Sequence, residues 1–485
     1  MNKQLGRMSK KLTFGIAVVM GSVAFCVSGK AETLNETLVS VYKSNPTLLA
    51  KRAELRATDE QVPQAASEWY PEILYKAAAG LRAVEVNTGT GTDRHQHREP
   101  TSHELTMTHS LYAGGQTVAA IDKAKNTIMA ERARLAITEQ DVLINAVTAY
   151  MNYYRDKEIL NLNIGNEAVL TRQLEATTQR FNAGEITSTN VHQSRARLSQ
   201  SVADRIKSER DLEMSRAAFY SAIGYLPENL SLPDLPPGLP GSREEAVEVA
   251  ERDNFNVIAA EYDAKASVKE VDEQKGALLP TVDMEWSASR KLEASSETSR
   301  TDDYGVKLML TVPFYQKGAE YSKLREARQT AAQQHRTAVQ VRRDAARGVM
   351  EAWEALRAAQ ARNSSFRTQI KASRVALMGV RQEADVGSRS LLDVLDSEQE
   401  FLDSKINLAM VQRDEIIAAF ELLAAMGRPL AQHIDLPVAL YDPKGHFDEV
   451  DDKHFGGVSS GDITGKMMEE GKSYNLSSEP LIPIQ

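Results

Sequence analysis

Val282-Asp-Met-Glu-Trp-Ser-Ala-Ser289 alternates apolar and polar side chains without a break. A period of two marks a strand with one apolar and one polar face. The run at 304–312 continues the pattern, with Tyr304, Val306, Leu308, Leu310 and Val312 on one side and Lys307 and Thr311 on the other. A weaker version occurs earlier, where Leu105, Met107 and Leu111 alternate with Glu104, Thr106, Thr108 and Ser110. Its facing run, Pro71 to Val86, alternates less cleanly, and polar segments at 87–101 and 291–303 join the two pairs. Strands of about ten residues, apolar outward and polar inward, are the pattern of an outer-membrane barrel. Four strands cannot close one, because about eight are the minimum. The chain must then oligomerise, two copies supplying eight strands and three supplying twelve. The plainer alternative is an amphipathic sheet lying on a soluble helical body.

Around these hairpins the periodicity is helical. Gln116 to Phe181 contains no proline and one glycine, Gly165; as a single helix it would run about 99 Å. Ala319 to Ala384 has the same length, again without proline. Two shorter segments, Leu34 to Glu68 and Thr189 to Ile223, would be about 52 Å each, so two end to end match one long helix. Leu143, Val147, Tyr150 and Tyr154 follow 4-3-4 spacing, and Leu395, Leu402, Ala409, Ile416 and Leu423 fall every seventh residue. These are coiled-coil seams. Helix-hairpin turns are expected at 182–184 and 385–387, where Gly184 and Gly387 supply the C-cap.

The chain is written twice. Gly115, Gly184 and Gly224 are separated by 69 and 40 residues, and so are Gly318, Gly387 and Gly427. Asn45 precedes Pro71 by 26 residues, and Asn254 precedes Pro280 by 26. Only the stretch from Pro71 to Gly115 departs, being six residues longer than its partner, so a variable loop is expected there. Constant spacing with thin residue similarity is how a duplicated structural unit reads. The expected organisation is a first repeat at 32–230 (hairpin about 71–113), a Pro/Gly linker at 231–241, a second repeat at 242–430 (hairpin about 280–314), and a tail at 431–485. Pro437, Pro443 and the acidic run 448–452 predict that the tail is disordered beyond about residue 445.

Residues 1–31 read as an export signal that is cleaved: Lys3, Arg7, Lys10 and Lys11, then the apolar run Leu12–Val27, then Ser28-Gly29-Lys30-Ala31. Cleavage after Ala31 removes Cys26, the single cysteine, and leaves no disulfide framework. Cys26 as a lipid-anchored residue is the rival reading, disfavoured by the bulk of Phe25. The full chain carries a formal charge of −9 and loses five basic residues with the signal, which leaves −14. No basic stripe marks a nucleic-acid surface. With no second apolar run of roughly 18 residues, an exported chain is either soluble or a β-barrel.

Ala113-Gly-Gly-Gln116 and Gln316-Lys-Gly-Ala319 at the strand-to-helix junctions, Phe181-Asn-Ala-Gly-Glu-Ile-Thr187, and Val386-Gly-Ser-Arg-Ser-Leu-Leu-Asp-Val-Leu-Asp396 together resemble the TolC family of outer-membrane channel-tunnels. The resemblance covers roughly residues 33 to 430 in register with the duplication. It implies a mainly α protein with a membrane β-barrel portion: a homotrimer that forms a twelve-stranded barrel and a periplasmic α-helical tunnel. It also implies a passive exit duct, serving type I protein secretion or multidrug efflux. The inner-membrane transporter that drives it is reached through a periplasmic adaptor. The motifs sit nearest the type I branch, with a large adhesin as one cargo that branch carries. A small-molecule efflux component and a soluble periplasmic coiled-coil scaffold are the alternatives.

By the same resemblance, Asp393 and Asp396 face the tunnel at its periplasmic end, six carboxylates per trimer forming a cation-attracting constriction. Ser390 and Asp393 also have the spacing of a capping box, which accounts for Asp393 and leaves Asp396 unexplained. Arg389 matches an arginine that closes the entrance by bonding to the neighbouring hairpin at the position of Thr189. A second closing link, between a tyrosine and an aspartate, is missing, because Ala384 and Asn190 stand there. Asn190 and Gln193 occupy in the first repeat the places of Asp393 and Asp396 in the second. The tips around Gly184 and Gly387 are candidate adaptor contacts. His95, His97, His103 and His109 lie within fifteen residues but lack metal-ligand spacing, and read as loop and interface histidines. No Ser-His-Asp set, phosphate loop or zinc motif is present; no cofactor and no catalytic residue are expected.

Overall fold

In a computed structural model that describes residues 32–86, 94–451 and 453, the first repeat opens with three helices, not one. They are α1 (Leu34–Ser44), α2 (Pro46–Asp59) and α3 (Gln61–Ala66). The break after α1 is built into Asn45, whose backbone is extended and whose Oδ1 accepts the N–H of Thr47 at 3.0 Å and Leu48 at 3.3 Å. Pro46 follows at the first helical position, where its missing N–H costs nothing. Residues 1–31 with Cys26, 87–93, 452 and those from 454 on lie outside the described residues.

After one 3₁₀ turn come β1 (Glu72–Ala79), β2 (Arg82–Val86), β3 (Arg94–Arg98) and β4 (Thr101–Ala113). The expected strand 71–86 thus breaks at Gly80-Leu81, and the expected loop 87–101 contains strand β3. β2 and β3 form a separate two-stranded ribbon, which accounts for the extra residues of the first hairpin. Helix α4 (Gln116–Asn182) follows, 67 residues and about 100 Å long, then α5 (Ser188–Ile223). The second repeat runs α6 (Arg243–Asp253), α7 (Phe255–Gly276), β5 (Thr281–Leu292), β6 (Arg300–Thr311), α8 (Ala319–Asp385, again 67 residues) and α9 (Leu391–Ala425). Both strands of this hairpin outlast the expected loop 291–303, and Arg290 and Asp302 form an ion pair of 2.7 Å across them.

The two hairpins lie side by side in one antiparallel sheet ordered β1-β4-β5-β6, with β4 and β5 joining the repeats. The register stacks Ile73 on Met107, Trp286 and Val306, and Tyr75 on Leu105, Ala288 and Tyr304, so one face is apolar across all four strands. The other carries Glu72, Lys76, Glu104, Asp283, Glu285 and Lys307. Among the described residues nothing covers the apolar face: Tyr304, Val306, Leu308 and Leu310 are 64–70% exposed. The outer edges of β1 and β6 have no strand beside them among the described residues.

Helix α4 is flanked by α5 over the half remote from the sheet and by α7 over the half near it; α8 packs on α9 and α7. All five residues of the heptad seam in α9 are buried. The main core is a belt at mid-length, where Leu143, Val147 and Tyr150 of α4 meet Leu38 and Val41 of α1, Phe219 of α5 and Phe420 and Leu423 of α9. There Tyr150 Oη lies 2.9 Å from the carbonyl of Glu32 and 2.7 Å from that of Ser231, fixing the start of the first repeat to the linker.

Each repeat closes on itself at the same place. Asn45 Nδ2 reaches the carbonyl of Ala222 at 3.4 Å, and Asn254, which caps α7 as Asn45 caps α2, donates to that of Ala425 at 2.8 Å. Gly224 and Gly427 end the returning helices with positive φ. At Gly427 there is a second requirement, because a Cβ would stand 2.1 Å from the carbonyl oxygen of Asp253.

The described part of the tail reaches residue 453, a few residues past the expected boundary at about 445. After α10 (Leu430–His433), residues 436–444 cross the belt, and Gly445–Val450 forms α11. Phe447 packs on Val62, Ala124 and Ile128, and Val450 is buried. Phe447 precedes the acidic run 448–452 and Val450 lies within it, the two being three apart on one helix face.

Candidate functional site

The end of the molecule remote from the sheet is made of two helix turns, α4–α5 around Gly184 and α8–α9 around Gly387, both glycines with φ of +79°. Neither has another atom within 4 Å of where a Cβ would stand, so the tips are open. Val386 beside Gly387 is 78% exposed, and Phe181 and Leu392 are also exposed apolar residues at this end.

Asp393 sits at the third position of α9. Its carboxylate accepts the Ser390 N–H at 2.9 Å and hydroxyl at 2.7 Å, while its own N–H donates to Ser390 Oγ at 3.2 Å. The capping box is therefore formed. The Ser390 hydroxyl and N–H hold the Asp393 carboxyl below the usual carboxylate range, so it is charged at neutral pH. Asp396, one turn further, is exposed and is ion-paired with Arg197 of α5, a residue the sequence reading did not single out. Arg389 pairs with Glu383 of its own hairpin at 2.8 Å. Thr189 is exposed at the second position of α5; Asn190, half-buried, donates its backbone N–H to the Thr187 carbonyl at 3.1 Å. Gln193 is half-buried one turn on. The structure thus brings Asp393, Asp396 and Arg389 to one helix start, with Asn190 and Gln193 in the corresponding turns of α5.

A second pair stiffens the α8–α9 hairpin near its tip. Arg381 Nη2 donates to Glu398 Oε1 at 2.7 Å, and the Glu398 side chain is buried. At the opposite end of the molecule the histidines scatter: His95 and His97 lie on β3, His103 Nδ1 meets Tyr75 Oη at 2.8 Å on the apolar face, and His109 lies six residues further along β4. Among the described residues no group of three or more His, Cys, Asp or Glu could hold a metal ion, and no helix is long and apolar enough to cross a membrane.

The profile of the outer membrane efflux protein family matches residues 38–225 and 246–428, one match on each half of this architecture. The chain belongs to that family. It is 31% identical over 452 residues to outer membrane efflux protein BepC of Brucella suis biovar 1, covering 92% of this chain and 96% of BepC. It is 24% identical to outer membrane protein TolC of Vibrio cholerae, covering 87% and 96%. A shorter match, 23% identical over 59% of this chain and 63% of the relative, is to proteases secretion protein PrtF of Dickeya chrysanthemi. Among solved structures, the CmeC outer membrane channel of Campylobacter jejuni superposes with a TM-score of 0.72 at 14% identity, covering 92% of this chain and 98% of that one. As a member of the outer membrane efflux protein family, the chain is a transport protein of the outer membrane with the TolC-type fold, its helices extending into the periplasm.

Proposed function

We propose that the protein is the trimeric outer-membrane exit duct of a type I protein secretion system. The observation that carries the duct is the uncovered four-stranded sheet with two open edges, continued by helices about 100 Å long. Exposed edges in a membrane leave unpaired backbone groups, which only ring closure satisfies. Three copies joined β6 to β1 give twelve staves, and the long helices then wall a tunnel beneath them. The polar face with Glu72, Glu104, Asp283 and Glu285 lines the pore, and the hairpin tips form its periplasmic mouth. Asp393 and Asp396 ring that mouth, Arg389 with Thr189, Asn190 and Gln193 forms its gate, and the tips at Gly184 and Gly387 receive a periplasmic adaptor linked to an inner-membrane transporter.

Similarity to a protease-secretion protein supports a protein cargo. Similarity to BepC along nearly the whole chain favours a second reading, efflux of small molecules through the same duct. The duct is tested by planar-bilayer conductance of detergent-extracted protein, wild type beside Asp393→Ala/Asp396→Ala. Small cation-selective currents that lose selectivity in the variant are expected. Protein that needs no detergent and gives no current would leave only a periplasmic scaffold. The cargo is tested by deleting the gene: loss of proteins from the medium supports secretion, and hypersensitivity to toxic solutes with secretion intact supports efflux.

A further inference from the structure

Near the tips a polar link joins the two helix hairpins of one chain: Arg197 Nη2 to Asp396 Oδ1. Neither partner has a local alternative. On α5 the residues three and four away from Arg197 are Gln193, Ser194, Gln200 and Ser201, none of them acidic. On α9 the corresponding neighbours of Asp396 are Leu392, Asp393, Gln399 and Glu400, two of them acidic and none basic. Within-helix pairing is thus closed to both, and Asp393 and Glu400 repel Asp396 from its own helix surface. The same complementarity extends beyond the pair. α5 carries Arg195 and Arg197 before its first acid, Asp204, while α9 carries Asp393, Asp396, Glu400 and Asp403 before its first basic residue, Lys405, its Glu398 being already paired with Arg381. The repeats have diverged to make this so, since Asp396 corresponds to Gln193 and Arg197 to Glu400 in the glycine register.

We propose that Arg197 is the latch of the periplasmic mouth, holding the α4–α5 hairpin against the α8–α9 hairpin through Asp396 and cancelling that carboxylate's charge in the closed state. This rests on the duct reading above. It assigns the closing link to a residue outside the set named from sequence, where Ala384 and Asn190 leave a place empty. It also separates the two aspartates by role. Asp393, satisfied by Ser390, is the standing charge of the constriction. Asp396, exposed but neutralised by Arg197, presents an uncompensated charge only when the hairpins part. An exposed ion pair shifts an equilibrium about two- to five-fold. Three acting together in a trimer shift the closed-to-open ratio roughly ten-fold or more, and salt weakens them.

The test is single-channel recording on Arg197→Ala, Arg197→Asp, Asp396→Arg and the exchange Arg197→Asp/Asp396→Arg, each checked first for intact trimer. Arg197→Ala is expected to raise open probability about ten-fold and to increase cation selectivity. Arg197→Asp is expected to open further, and the exchange to return the closed wild-type behaviour. Raising salt should open the wild type and leave Arg197→Ala unchanged. Wild-type currents from Arg197→Ala, or an exchange that stays as open as Arg197→Asp, would overturn the latch while leaving the duct standing. Absence of any current from the wild type would overturn the duct itself.

Discussion

Replacing Gly427 by alanine should damage this protein far more than replacing Gly224, although both glycines end the returning helix of a repeat. Both have positive φ, +77° and +98°, which costs an L side chain about 1–2 kcal/mol. For Gly224 that is the whole penalty, because no atom lies within 4 Å of the added Cβ. At Gly427 the Cβ would meet the Asp253 carbonyl oxygen at 2.1 Å and Asn254 Cα at 2.6 Å, both backbone atoms on the segment that starts α7. The helix end and the α6–α7 junction must move apart, loosening the bond from Asn254 Nδ2 to the Ala425 carbonyl. Overpacking of this kind adds about 1–3 kcal/mol, so the expected losses are about 2–5 kcal/mol for Gly427→Ala and about 1–2 kcal/mol for Gly224→Ala. Large membrane proteins often unfold irreversibly, so the comparison is best made as unfolding half-life in detergent at one denaturant concentration, followed by far-UV circular dichroism. Equal half-lives for the two variants would refute the argument, since they would mean that the left-handed backbone alone decides both sites.

Asn254→Ala should cost about 1–3 kcal/mol, and Asn45→Ala somewhat less because its link to the returning helix is the longer one; denaturation of the two variants side by side checks the order. Arg381→Ala strands the buried Glu398 carboxylate and should cost about 1–3 kcal/mol, reduced from a fully buried pair because Arg381 is itself half-exposed. Faster hydrogen exchange in the first turns of α9, recovered by adding Glu398→Gln, is the expected signature. Burial raises Glu139 to about 7 from its ordinary 4.5, with Arg52 and Tyr42 opposing the rise. Between those two values the folded chain keeps a proton that the unfolded chain has lost. Stability should therefore fall as pH rises through that window and level off above it, by on the order of 1–3 kcal/mol. Glu139→Gln should flatten the slope of denaturation midpoint against pH.

The long helices were legible because 66 residues without proline leave few alternatives, and the α9 seam because its seven-residue spacing is unbroken. The glycine landmarks were visible as spacing before their cause was. They are helix ends with positive φ, and the two asparagines tie each repeat shut. The break at Asn45 is marked in the sequence by the cap-then-proline pair Asn45-Pro46, although the apolar spacing runs on through it. At the mouth, capping of Asp393 by Ser390 could be read locally, since it spans three residues. The pairing of Asp396 with Arg197 could not, because the partners are 199 residues apart; only the unequal charge of α5 and α9 hinted at it. The packing of α5 was missed for a different reason. Its buried seam is Ser194, Ser201, Ser208 and Ser215, with Asn163 Nδ2 bonded to Ser208 Oγ at 2.6 Å. A search for apolar residues passes over a seam of serines.

The strap that crosses the belt and ends in α11 also fixes an address. Tyr441 donates its backbone N–H to Tyr42 Oη at 3.0 Å, and the Arg52 guanidinium lies between the two rings at 4.6 and 5.0 Å. Phe447 then seats beside Ala124 and Ile128, roughly 12–18 Å along α4 from its sheet end. A spin label or fluorophore placed at Lys453, whose N–H donates to the Val450 carbonyl, would stand near that docking site, far along α4 from the helix tips. It could report the height of the lipid boundary, or crowding by neighbouring cell-envelope material, without touching the path of the cargo.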